Sequence, residues 1–160
     1  MKSYEVHIYT DGASKGNPGP AGYGVIMEMV GTPYKKEFYE GFRLSTNNRM
    51  ELLAVIVGLE KLKKQGTSVL VTSDSKYVVD SVLKGWVFGW EKKNFTGKKN
   101  PDLWIRFLKV YRKHQVDFRW IKGHSSHPQN ERCDALAVMA SQQEKLSIDF
   151  FYEKEEGHLF

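Results

Sequence analysis

Four acidic side chains stand beside apolar sequence: Asp11, Glu51, Asp74 and Asp134. Each has a plain structural explanation. Asp11-Gly12 suits a turn. Asp74 suits a helix N-cap. Asp134 suits a first helical turn, where the dipole favours an anion, and Glu51 suits an exposed helical position. Joined, the four would do different chemistry. Ligands of open α/β sheets gather at strand ends and adjacent helix starts. Carboxylates crowded there repel and cannot all ionise without a counter-charge. Mg²⁺ supplies one, because hard cations take oxygen ligands. Two such ions about 3.5–4 Å apart can clamp the attacking and leaving oxygens of a phosphodiester displacement. Spacing alone does not say that the four acids meet.

Other reactive residue types are sparse. His124 carries an imidazole whose ordinary pKa, near ~6.5, suits proton transfer at neutral pH; on residue type alone a surface loop histidine explains it better. His124, His127 and Cys133 fall short of a structural zinc site, which needs four ligands, and there is no second cysteine. The glycines at 16, 19, 22 and 24 do not fit G-x-G-x-x-G, and no helix opens from them.

The elements that must position these residues read from hydrophobic period. Tyr4, Val6, Ile8 and Thr10 alternate with Glu5, His7 and Tyr9, a strand ended by Asp11-Gly12. Gly16 to Gly22 is a Gly/Pro loop. Tyr23 to Met29 and Tyr34 to Leu44 are two more strands, and short turns favour an antiparallel meander. Apolar residues then recur at helical spacing from Asn47 to Lys64, capped by Ser45 or Thr46 and ended by Gly66. Val69 to Val71 is a buried strand, followed by a helix to about Leu83. Residues 85–99 read as irregular, Asp102 to Lys113 as helix, Val116 to Ile121 as strand, and Asn130 to Gln142 as helix. Strands followed by strand–helix–strand units predict an α/β fold, a mixed sheet with helices on its faces. The expected organisation is one domain over residues 1–143 and a loosely attached charged tail over 144–160.

Composition limits the function classes. A chain of 160 residues, 41% hydrophobic, is neither disordered nor short of core. No apolar run approaches a membrane span, and the N-terminus lacks a secretory h-region. One cysteine, Cys133, fits a reducing compartment, so a cytoplasmic protein without membrane contact is expected. The net charge of +5 is unevenly spread: residues 84–122 carry eleven Lys or Arg against three acids, and residues 144–160 five acids against two Lys. A basic segment studded with aromatics suits a phosphate backbone, or is simply a solvated surface.

Four segments, TDGASKGNPGPAGYG, STNNRMELLA, TSDSKYVVDSV and WIKGHSSHPQNERCDALA, resemble in this order the motif set of type 1 ribonuclease H, the bacterial branch. GWVFGW followed by lysines resembles that branch's basic protrusion. The likeness runs from about Tyr4 to Ala140. It implies a five-stranded mixed sheet, three antiparallel strands then two parallel, flanked by helices. It implies a monomeric endoribonuclease that cuts the RNA strand of RNA–DNA hybrids, leaving 5′-phosphate and 3′-hydroxyl ends, with two Mg²⁺ per active site and Mn²⁺ as a substitute. By the same likeness Asp11, Glu51, Asp74 and Asp134 are the metal ligands. Asp11 touches both ions, Asp134 completes the water-activating site, and Glu51 and Asp74 complete the site beside the leaving oxygen. His124 matches a mobile histidine that assists proton transfer and product departure. Asn17, Asn47 and Asn48 match minor-groove contacts, Thr46 and Asn100 a DNA-strand phosphate pocket, and Trp86 and Trp90 aromatics of the DNA-strand channel. Lys92 and Lys93, with Lys98 and Lys99, would grip phosphates without reading sequence.

Three positions depart from the family pattern. Lys76 stands where many members carry glutamine, so a local RNA contact becomes a phosphate contact. Ser126 stands where glycine is common and would stiffen the histidine loop. Glu91 lowers the charge of the protrusion. A non-catalytic hybrid- or duplex-binding module of the same fold is the alternative, opposed by the intact acids, which would only repel phosphate.

Overall fold

The computed structural model describes residues 2–123 and 126–157. Strands β1 (Val6–Ser14), β2 (Gly19–Met29) and β3 (Lys35–Ser45) form an antiparallel meander. Strands β4 (Ser68–Ser73) and β5 (Gln115–Trp120) add in parallel beyond β1, giving the order β3-β2-β1-β4-β5. This is the mixed sheet expected from the pattern. The helices among the described residues are α1 (Asn47–Glu60), α2 (Lys76–Leu83), α3 (Trp86–Lys92), α4 (Pro101–Tyr111), α5 (Pro128–Ser141) and α6 (Phe150–Glu155).

Alternation along β1 divides the core. Val6 and Ile8 join the main cluster, which takes in α1 and α4. Tyr9 faces the opposite way, with Ile26 of β2 and Cys133 and Leu136 of α5. Helix α1 is buried continuously from Arg49 to Leu59 because it lies between the sheet and α4, so it needs no polar stripe. Backbones meet closely at two glycines. A Cβ on Gly12 would come within 2.5 Å of the Glu51 nitrogen and 2.7 Å of the Met50 carbonyl carbon. A Cβ on Gly24 would overlap the Cys133 carbonyl oxygen of α5. The small residues therefore let α1 and α5 close on either face of the same strand pair.

Four expectations differ from the structure. Gly19 to Gly22 are strand rather than loop, because β2 begins at Gly19 and pairs Ala21 and Gly22 with Ser14 and Ala13 of β1. Asp11-Gly12 is no turn, since β1 runs on to Ser14, paired with Ala21. Residues 86–92 are helical rather than irregular; α3 is held by buried Val87 and by Phe88 and Trp90 against the core. The tail is docked rather than loose. Ser147 pairs with the edge of β3 through Arg43 N–H to the Ser147 carbonyl (3.0 Å) and Ser147 N–H to the Gly41 carbonyl (2.8 Å). The α6 side chain Glu153 is 2% exposed and accepts from the Arg43 guanidinium at 2.8 Å. No helix among the described residues is long and apolar enough to cross a membrane.

Candidate active site

Three of the predicted acids converge beside the middle of the sheet. Asp11 comes from β1, Glu51 from the first turns of α1, and Asp74 from the residue after β4. One carboxylate oxygen from each lies within 4.8 Å of the others. Asp134, on α5, lines the same cleft of about 320 Å³ together with Gly12, Ser14, Asn47, Asn130 and Glu131. The close approach at Gly12 brings Glu51 alongside Asp11.

The plain structural explanations fail here. The N-cap of α2 is Ser75, whose hydroxyl accepts from Val78 N–H at 3.2 Å, so Asp74 is left for another purpose. Glu51 is 6% exposed, not on a solvated face. Asp134 stands beyond the first turn of α5, where Glu131 is the acid. Burial first, then the charges of Asp74 and Asp134, push the Asp11 carboxyl up to about 8. Burial and the neighbouring Asp11 and Asp74 push Glu51 well above the usual carboxylate range. The Gly12 N–H donates to the Asp11 carboxylate at 3.0 Å. Glu51 Oε1 and Asp74 Oδ1 are fully buried and accept from no donor among the described residues. Buried acceptors are seldom left so. A pocket of hard oxygen donors, crowded and short of hydrogen-bond donors, fits a divalent cation of the Mg²⁺ or Mn²⁺ kind.

The remaining candidates ring this cleft or stand apart from it. Thr46 caps α1, accepting from Arg49 N–H at 3.2 Å. Asn17 accepts from Asn47 N–H at 3.0 Å, tying the Gly/Pro loop to the helix start. Asn48 follows them on the first turn of α1, exposed. Asn100 opens α4 and donates to the Tyr77 hydroxyl at 3.0 Å. Trp86 and Trp90 lie on α3, outside the acid cleft, with Lys84 and Lys98 over their rings at 5.2 and 5.3 Å. Trp90 also meets Trp104 edge-on, so part of it is core. Lys92 and Lys93 are exposed at the end of α3. Glu91 is paired with Arg112 at 2.6 Å, which offsets its charge on the protrusion. His124 lies outside the described residues. Ser126 adopts a φ of 59°, the left-handed region that favours glycine, at a cost of about 1 kcal/mol.

Sequence reasoning missed Glu131, Arg49 and Trp120. Glu131 precedes Asp134 by three residues, a helical spacing that puts both on one face. Trp120 donates its indole N–H to the Asp74 carbonyl at 3.0 Å and carries the Lys76 ammonium 4.9 Å over its ring. No sequence signal marks that pairing, since 46 residues separate Trp120 from Asp74.

The comparisons agree with this geometry. The family model RNase H matches residues 3–142. A ribonuclease H of Desulforamulus reducens is 52% identical over 150 residues, covering 91% of this chain and 92% of that protein. The solved structure of LC9-RNase H1, described as a type 1 RNase H with the type 2 active-site motif, superposes with a TM-score of 0.79 at 29% identity. It covers 99% of this chain and 83% of that one. The structure of LC11-RNase H1 in complex with an RNA/DNA hybrid superposes with a TM-score of 0.62 at 28% identity, covering 84% and 95%. A sheet of this order, an acid cluster at its centre and a family match over nearly the whole length have one common explanation: the chain belongs to the ribonuclease H family and is an enzyme of it.

Proposed function

We propose that this enzyme hydrolyses the RNA strand of RNA–DNA hybrids, leaving 5′-phosphate and 3′-hydroxyl ends, at the cleft of Asp11, Glu51, Asp74 and Asp134. The observation that carries the reading is the meeting of three carboxylates within 4.8 Å, two of them with buried oxygens lacking a donor among the described residues. Bound among these acids, two Mg²⁺ ions supply the charge that activates water and stabilises the leaving oxygen. The chain's own residues do the rest. Asp11 serves both halves of the cleft, Glu51 and Asp74 one half and Asp134 the other. Asn17, Asn47 and Asn48 offer amides to the minor groove, where the 2′-hydroxyl separates RNA from DNA. Thr46 and Asn100 hold a DNA-strand phosphate. Lys76, two residues after Asp74 and steadied on Trp120, meets a phosphate near the scissile bond. Trp86 and Trp90 line the DNA strand, and Lys92 and Lys93 hold the backbone without reading sequence. His124 carries a proton toward the leaving group. Support for the substrate comes from the likeness to LC11-RNase H1, which was solved with an RNA/DNA hybrid. The enzyme acts as a monomer, and its buried, free Cys133 suits the cytoplasm.

The test is strand-specific cleavage of a labelled hybrid with Mg²⁺, beside RNA and DNA duplexes and an EDTA control. The hybrid's RNA alone should be cut, with phosphate on the 5′ ends. Cutting of a DNA duplex, or of the hybrid in EDTA, would overturn the reading.

A further inference from the structure

The docked tail reaches a buried guanidinium. Arg49, 3% exposed on α1, directs all five N–H groups to three residues from two distant segments. Nε and Nη2 donate to Asp149 at 2.7 and 2.9 Å. Nη1 and Nη2 donate to Asp102 at 2.9 and 2.7 Å, and Nη1 also reaches Asn100 Oδ1 at 3.3 Å. The rings of Phe151 and Tyr152 stand 5.6 and 6.0 Å from the guanidinium carbon. Asp149 further accepts from the Ser45 hydroxyl at 2.7 Å. Tail, α1 and α4 are thus joined at one side chain.

Two groups tied to Arg49 matter for substrate. Its backbone N–H is accepted by the Thr46 hydroxyl oxygen, which leaves the hydroxyl proton to donate elsewhere. Its side chain holds the Asn100 amide oxygen, while one amide N–H goes to Tyr77, which leaves a second N–H. Asn100 has a φ of 62°, in the left-handed region that asparagine tolerates better than most residues, and the bonds from Arg49 and to Tyr77 fix its amide.

We infer that the segment after Gln143 is a positioning element for the DNA-strand phosphate contact: Asp149 orients the Arg49 guanidinium, which sets Asn100, and holds Ser45 beside Thr46. This rests on the hybrid reading above. Arg49 with two aspartates carries one net negative charge, so the cluster does not draw phosphate by its field. Its effect is geometric: two neutral donors from two helix starts are held at fixed separation before substrate arrives. Preorganised donors lose less entropy on binding.

Asp149→Asn removes the tail's charge on Arg49 at constant size. On the full-length enzyme with Mg²⁺ and hybrid, it should raise KM about tenfold, the worth of one charge-assisted contact, and leave kcat within about twofold. A hybrid scanned with single neutral methylphosphonates along its DNA strand supplies the readout that general loosening would not move. The wild type should lose affinity at one linkage, and Asp149→Asn should show no further loss there. Arg43→Gln breaks the tail's ion pair to Glu153 without touching Arg49 and should leave KM and the scan unchanged. If Asp149→Asn does not fold, Phe151→Leu removes the ring beside Arg49 and carries the same readouts. An unchanged KM and scan in an active variant, a tighter KM, or an equal KM rise in Arg43→Gln would each overturn the inference. Absence of cleavage by the wild type would instead count against the hybrid reading.

Discussion

Asp11 and Glu51 show at the residue scale why the cleft requires a cation. Both are buried among like charges, and Asp11 is driven up to about 8 chiefly by burial. A carboxyl whose folded pKa is raised binds its proton more tightly folded than unfolded. The stability it confers is complete below the ordinary carboxyl pKa and is lost as pH rises to about 8. Asp11→Asn removes that loss. Without divalent cation, its melting temperature should exceed the wild type's by a gap that opens from about pH 4 to about pH 8. Added Mg²⁺ should narrow the gap by stabilising the wild type alone. A gap independent of pH would mean that the Asp11 charge is not what strains the fold. Residue types and motif order made the four acids legible as candidates, but not their meeting: Glu51 is brought to Asp11 by a backbone contact at Gly12, which spacing does not encode. Arg49 and Trp120 were illegible for a related reason, because their partners lie tens of residues away.

At the scale of elements, the β1–α1 contact is the joint on which the cleft depends. Gly12→Ala places a methyl carbon 2.5 Å from the Glu51 nitrogen, and the obstacle is backbone rather than a yielding side chain. The strand and helix must part, at a cost of about 1–3 kcal/mol. Chemical denaturation should show that loss, and activity should fall by more than the unfolded fraction because Glu51 moves from Asp11. An equal fall in both would mean that the joint is structural only. The strands and the longer helices were readable from period, and their ends were where reading slipped. Asp11-Gly12 resembles a turn in isolation, but the pairing with β2 carries the strand past it. Helix α3 has seven residues, one of them glycine, and too short an apolar stripe to register. The tail is charged in sequence, yet Asp149 and Glu153 point inward to Arg49 and Arg43, so composition misread its attachment. Ser147 on the edge of β3 also covers one end of an otherwise open strand.

The whole molecule divides its charge between two tasks. The four acids gather in one cleft, and the exposed lysines of α3 and the turn after it stand apart from it. Lysines that pair with backbone phosphates release counterions, so Lys92→Glu with Lys93→Glu should weaken hybrid binding at low salt far more than at high salt. The slope of log K against log salt should flatten, by nearly one for each phosphate that no longer meets a lysine. A loss equal at all salt concentrations would mean that these lysines act through folding. In the proposed function, the acid cluster does the chemistry on a hybrid held by the rest of the surface. Its sharpest test is single-turnover cleavage of a labelled hybrid by Asp74→Asn, with enzyme in excess and Mg²⁺ saturating. That variant keeps the size of the side chain and the Trp120 bond to its backbone, and loses only the carboxylate charge. The rate should be lower by about a thousandfold or more, with hybrid affinity and melting temperature little changed. Cleavage at the wild-type rate by a folded, hybrid-bound Asp74→Asn would contradict the metal-site assignment.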